Sequence, residues 1–264
     1  MKKKVLIAVK TYPNPSKNYI ETVCTAGIDE QGNWLRVYPV RFRHRKFSEQ
    51  YKKWDWVIID IEKNDKDFRT ESHRLVDIDQ EITIDGHIDR KNWDDKKRFL
   101  LKNVYCSMQA LINDSYDTSK NVSIAVFKAK EIKRPFCDAG ERDWSDRKKE
   151  KMSQLDVFVD SEINPLRKLP FTFGLEFIDA NDSPSKMSIL DWEIGQLYWN
   201  CYDKNQNEAE ACAKVMEKLD WLYQKRDLYL ILGTTLEHHR MKAPNPFTII
   251  GLFYPPKDEQ TTIF

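Results

Sequence analysis

No run of apolar residues in the sequence approaches the roughly 18 to 20 that a helix needs to cross a bilayer, which excludes a helical membrane span. Paired cysteines are also missing. The 5 cysteines (Cys24, Cys106, Cys137, Cys201 and Cys212) are odd in number and scattered, with no C-x-x-C pair. Neither a disulfide framework nor a zinc ribbon is expected, and a reducing cytoplasm is the expected compartment. Internal repeats and low-complexity tracts are absent by inspection. So are G-x-S-x-G, H-E-x-x-H and G-x-x-x-x-G-K-[ST], so no motif assigns a catalytic residue, a cofactor or a metal. Met1-Lys2-Lys3-Lys4 precedes an apolar stretch at Val5–Val9, but that stretch is too short for a signal peptide, which needs roughly 7 to 15 apolar residues. It reads as a first strand.

What is present is a chain of 264 residues with 41% hydrophobic and 32% charged residues, enough for one large domain or two small ones with real cores. The net charge of +1 hides an asymmetry. Residues 1–140 carry 27 Lys/Arg against 21 Asp/Glu, and residues 141–264 carry 16 against 21, so a polyanionic partner is expected to meet the N-terminal half.

The N-terminal part is β-rich. Residues 3–11, 21–28, 33–40 and 54–62 are short runs of β-branched and aromatic residues, and Gly32-Asn33 supplies hairpin chemistry between the second and third. In the fourth run Val57, Ile59 and Ile61 alternate with Trp56, Ile58 and Asp60. Helical spacing of Trp93, Leu100, Leu101, Val104, Met108, Leu111 and Ile112 predicts one amphipathic helix over 92–113. A strand is expected at 121–132, and the polar stretch Arg134–Arg142, with Pro135 and Gly140, is the expected link between halves 1–135 and 136–264.

Beyond it the pattern predicts a charged helix at 144–155, a strand at 170–178 and a helix opened by a Ser188/Asp191 capping box. A helix at 206–225 and strands at 228–235 and 246–253 follow. Because strands cluster rather than alternate with helices, the fold class is α+β.

The densest chemical signal is Trp34-Leu-Arg-Val-Tyr-Pro-Val-Arg-Phe-Arg-His-Arg-Lys46. Period two places Trp34, Arg36 and Tyr38 on one strand face, with Arg41, Arg43, Arg45 and Lys46 following. Aromatic rings stack bases and guanidinium forks bind phosphate, so the face suits nucleic acid. The competing reading makes the rings core and the basic run a solvated loop. Asp67, Arg69, Glu71, Ser72, His73 and Arg74 form a second cluster that binds phosphate through Arg69 and Ser72, holds a metal, or neutralises itself. Gly233, Thr234, His238 and His239 make a third candidate, an anion site at a strand end.

Lys10–Ile28, Trp34–Arg43, Asp67–Ser72 and the tail from Leu232 to Pro256 together resemble a dual OB-fold-containing domain of bacterial proteins, some of them associated with phage defence. The resemblance implies two small β-barrels, one OB-like in the N-terminal half and a second decorated by helices. It also implies a nucleic-acid or nucleotide ligand, and it supplies no catalytic residue. The three helices exceed what two plain five-stranded barrels need. The expected function is a single-stranded nucleic-acid or nucleotide binding module. The alternatives are a metal-dependent nuclease or phosphohydrolase using Asp67, Glu71 and His73, and a protein-interaction subunit.

Overall fold

The computed structural model describes residues 1–16, 18–146, 148–150 and 164–257. The first half contains β1 (Lys2–Lys10), β2 (Asn14–Ser16), β3 (Ile20–Asp29), β4 (Trp34–Val40), β5 (Asp55–Lys63), β6 (Ser72–Leu75) and β7 (Thr83–His87). β1 pairs antiparallel with β3, β3 with β4, β5 with β6 and β1 with β5, while β4 and β6 run parallel. These pairings close a five-stranded barrel in the order β1-β3-β4-β6-β5-β1, compatible with an OB-like barrel. Closure leaves these five strands without a free edge along the ring.

Alternation fills the barrel. Val5, Ile7, Leu35, Val37, Val57, Ile59 and Ile61 point inward and are buried together. Gly27 permits the close approach of β1, because a Cβ there would run into the Leu6 carbonyl. The β3–β4 hairpin is held by the Asp29 carboxylate, which accepts from the backbone N–H groups of Gln31 (3.0 Å) and Asn33 (2.8 Å), with Gly32 at φ +92°.

The second half contains α1 (Trp93–Leu100), β8 (Val104–Tyr105), α2 (Met108–Tyr116), β9 (Ile124–Phe127), β10 (Glu131–Ala139), β11 (Phe171–Ile178), β12 (Pro184–Ser188), α3 (Trp192–Asn205), α4 (Glu208–Lys225), β13 (Tyr229–Thr234), α5 (Leu236–Arg240) and β14 (Phe247–Phe253). β10, β11 and β12 form one antiparallel sheet, and β14, β13, β9 and β8 form another. A parallel bridge between Ile189 and Ile249 joins the two at one corner. Phe173, Leu175 and Phe177 face Ala125, Phe127, Leu230 and Leu232 in a single core, closed by Ile194, Tyr198, Val215 and Leu219 of the helices. A third cluster joins the halves. Ala8, Val9, Ala26 and Ile28 on the outside of the barrel pack against Ile124, Val126, Ile231, Ile250 and Phe253.

Several local expectations change. The helix expected over 92–113 is two helices, α1 and α2, because Val104-Tyr105 pairs with β9 and Ser107 starts a new helix by accepting from Ala110 N–H at 3.3 Å. The strand expected at 121–132 is divided between β9 and β10. Residues 131–139, in the stretch expected to link the halves, are a strand paired along its length with β11. Asp191, not Ser188, caps α3, and its carboxylate accepts from Glu193 N–H at 2.7 Å. The charged helix expected at 144–155 falls largely outside the described residues. No helix among the described residues is long and apolar enough to cross a membrane.

Candidate functional site

Period two correctly separates Leu35 and Val37 from Trp34 and Arg36, but the outer face of β4 is covered by the second half. Trp34 packs into the inter-half cluster. Arg36 is only 4% exposed, and its guanidinium donates to the Ser123 carbonyl (3.0 Å) and hydroxyl (3.2 Å) and meets Glu71 at 3.5 Å. Tyr38 is 42% exposed, and its hydroxyl sits 3.2 Å from that of Thr22. Arg41 pairs with Asp79, Arg43 with Glu21, and Arg45 with Glu49 and two backbone carbonyls. Lys46 is exposed.

The second and third candidate clusters meet at the junction between the halves. Arg69 clasps Asp67 through two nitrogens and donates to the Thr234 carbonyl at 2.8 Å, while Ser72 donates to Asp67 at 2.7 Å. Burial alone would raise the Asp67 pKa, but these bonds outweigh it and hold the carboxyl down at about 2. Glu71 takes a hydrogen bond from the Ser123 hydroxyl, and His73 Nδ1 lies 2.8 Å from the Glu71 carbonyl oxygen. His239 Nε2 lies 2.8 Å from the Ser115 carbonyl oxygen, between Phe68 and Tyr116. Gly233 packs under Ile250, and His238 sits exposed on α5. Asp67, Arg69, Glu71 and Ser72 are therefore engaged in joining two halves.

A different surface combines rings with uncommitted charge. Along the seam between the barrel and the helices, a groove with a cavity of about 680 Å³ is lined by Trp54, Trp93, Trp221 and Tyr254 and by Lys52, Arg90, Lys96, Lys218 and Arg226. None of these five cations has a carboxylate within ion-pair distance among the described residues. Lys218 lies over the Trp221 ring at 4.4 Å and Arg226 over the same ring at 5.0 Å. Lys96, 1% exposed, lies between Trp54 (5.2 Å) and Trp93 (4.8 Å) and donates to the Arg90 carbonyl. Burial and the neighbouring charges of Arg226 and Arg90 push the Lys218 pKa down, against the pull of Glu193. The cations thus repel one another across an aromatic floor. Trp54 adds a further cost, standing at φ +73° with its backbone locked by bonds to Ile7 and Ile88.

At its head the groove reaches α3. The chain leaving β1 bonds to the segment before this helix, with Tyr12 N–H donating to the Leu190 carbonyl at 2.7 Å, and this brings Lys10 beside Trp192. Lys10 is 9% exposed, and its ammonium lies 3.7 Å from the Phe42 ring centre and 4.8 Å from that of Trp192. Among the described residues it donates only to the Tyr51 carbonyl, and burial lowers its pKa to about 8. Lys53 contrasts with it. Burial would lower the Lys53 pKa too, but Asp191 at 2.7 Å and Glu193 at 3.3 Å outweigh that and raise it.

Sequence reasoning missed Arg90, Lys96, Lys218, Trp221 and Arg226. Their only local signal is Lys218 and Trp221 three apart on one helix face. No curated protein matches the chain. Residues 1–102 match the family described as Domain of unknown function (DUF8758). Residues 104–264, more than half of the chain, match the one described as Domain of unknown function (DUF8757), and it is to this family that the protein belongs.

Proposed function

We propose that the protein binds single-stranded nucleic acid in the groove along the seam between the barrel and the helices, and that the second half is a further OB-like barrel. For the second barrel the support is strand order. β9 and β10 act as one bent first strand, pairing with β13 and β11 respectively, and the ring runs on through β12, β14 and β13. This repeats the order of the first barrel, including its single parallel contact.

The observation that carries the function is the set of five cations without carboxylate partners among the described residues, over a floor of tryptophan rings. Mutual repulsion among Lys218, Arg90 and Arg226 is relieved by a polyanion, and each ring gives a sequence-tolerant surface for a base. The binding face on this reading is the groove, with Tyr38 and Lys46 of the earlier set outside it.

The test is fluorescence anisotropy with labelled single-stranded DNA, single-stranded RNA and duplex at about 50 and about 200 mM salt. Log affinity falls linearly with log salt at about −0.7 per phosphate contact, and the double variant Lys218→Glu/Arg226→Glu removes about two contacts from that slope. Absence of binding by the wild type to every single strand at the lower salt overturns the proposal.

A further inference from the structure

The head of the groove has features that phosphate binding does not use. Trp192, Gln196 and Asn200 are spaced by four along α3, so they form one ladder on one face, with about 6 Å of rise between rungs. All three line a cavity of about 410 Å³ together with Lys10 and Lys52 and with the ion-paired Lys53 and Glu193, a volume in the range of small-ligand sites. The Trp192 ring is half-buried and borders this cavity and two adjoining ones. Neither Gln196 nor Asn200 has a side-chain hydrogen-bond partner among the described residues. Other amides nearby on the same helical pair are engaged: Asn205 donates to Glu210, and Gln206 to the Asp203 carbonyl. Gln224 of α4 also lacks a side-chain partner among the described residues but is exposed and lines no part of this cavity, so Gln196 and Asn200 are set apart by facing it.

An amide side chain offers a donor and an acceptor side by side. It therefore pairs with a base edge that shows an acceptor next to a donor. Adenine presents such an edge twice, because its exocyclic amine has one N–H beside N1 and another beside N7. Guanine shows two acceptors on its N7 edge, and its second acceptor–donor pair, N3 with N2–H, lies on the edge that carries the ribose, while a pyrimidine has no second edge of that kind. Two free amides on one helix face, next to an aromatic ring and two lysines, match a base with two such edges and an attached phosphate.

We infer that this cavity is an adenine-reading subsite, in which the base stacks on Trp192, Gln196 and Asn200 bond its edges, and the phosphate faces Lys10 and Lys52. The inference rests on the single-strand reading of the groove and adds a base preference to it.

The experiment measures binding of adenine, cytosine, uracil and mixed guanine-containing RNA oligonucleotides of equal length, with adenosine 5′-monophosphate and cytidine 5′-monophosphate as free-nucleotide probes. Each is tested against the wild type, Gln196→Leu and Asn200→Leu. Gln196 is half-buried and Asn200 exposed, and thermal melting of each variant confirms that folding is retained. The adenine oligonucleotide and adenosine 5′-monophosphate bind about tenfold tighter than their cytosine counterparts. Each substitution erodes that margin while leaving the cytosine and uracil oligonucleotides at wild-type affinity. Equal binding of all oligonucleotides, unchanged by either substitution, overturns the adenine subsite while the groove reading stands. A preference for another base that both substitutions abolish also overturns the assignment to adenine. No binding of any oligonucleotide overturns the groove reading, and the subsite with it.

Discussion

Arg36→Met separates a joining role for this residue from a binding one. The guanidinium holds the Ser123 carbonyl and hydroxyl and faces Glu71, and it bridges the barrel to the start of β9. Methionine keeps much of the volume but removes the positive charge and the donors. Glu71, 9% exposed, then keeps the Ser123 hydroxyl but loses the Arg36 guanidinium, its one ion-pair partner among the described residues. Removing one member of a buried ion pair costs about 3 to 5 kcal/mol, because the other charge stays buried. For a chain of this size each kcal/mol lowers the melting temperature by about 2 to 4 °C, so the expected fall is roughly 6 to 20 °C. Differential scanning calorimetry measures the fall, and anisotropy at about 15 °C measures single-strand affinity on the same preparation, where the variant is still folded. The expected result is a large loss of stability with affinity unchanged. A melting temperature within about 2 °C of wild type together with lost binding refutes the reasoning and returns Arg36 to a nucleic-acid face.

Two further outcomes follow from titrating groups. The folded-state pKa of Asp67 is depressed to about 2, so its stabilisation is present above the ordinary carboxylate range and is lost as pH falls towards 2. Asp67→Asn removes about 2 kcal/mol of stability at neutral pH and flattens the acid-unfolding profile between about pH 4 and 2, as urea titrations at each pH will show. For Lys10 the slope has the same sign in a higher window: a base lowered to about 8 leaves the unfolded chain holding more protons between about pH 8 and 10.5. Stability contributed by this group therefore rises with pH across that window, and in Lys10→Met the rise is lost; an identical pH profile in the two proteins refutes this account.

Four of the barrel's five strands were legible because their information is local, whereas β6, which closes the ring, was not. Strands β1, β3, β4 and β5 follow period-two runs, Gly32 marks their hairpin, and inward-facing Leu35 and Val37 fall where alternation puts them. Helices α3 and α4 also followed their spacing. Arg36 was misplaced for a physical reason: alternation says which side of a strand a residue faces, not what covers that side. Here Ser123, 87 residues away, covers it. The break between α1 and α2 was hidden because Val104 and Tyr105 fit a helical period and leave it only through pairing with β9. The groove was the least legible feature. Lys52, Arg90, Lys96, Lys218 and Arg226 come from segments that only the packed fold unites, so no window of sequence contains the site.

The costs in this fold are not evenly spread. Trp54 holds a backbone conformation that a bulky residue adopts only under strain, on the order of 1 to 3 kcal/mol. Lys96 and Lys10 bury ammonium groups that have no carboxylate within ion-pair distance among the described residues, and Lys218 is crowded by Arg90 and Arg226. Each of these residues lines the groove or the cavity at its head. At the junction, by contrast, Asp67 is matched by Arg69 and Glu71 by Arg36. Selection for stability alone tends to remove exposed strain and unpaired buried charge, since a neutral side chain or a different turn residue eliminates either at one step. Where Trp54, Lys10, Lys96 and Lys218 bring such costs together along one aromatic seam, the consistent physical account is a ligand whose charge and flat rings offset them on binding. A single strand supplies both, with phosphates opposite the cations and bases against Trp54, Trp93 and Trp221. On this account a bound strand lowers the repulsion at Lys218, raises its pKa, and makes binding take up protons at alkaline pH, a linkage that calorimetry in buffers of different ionisation enthalpy measures directly.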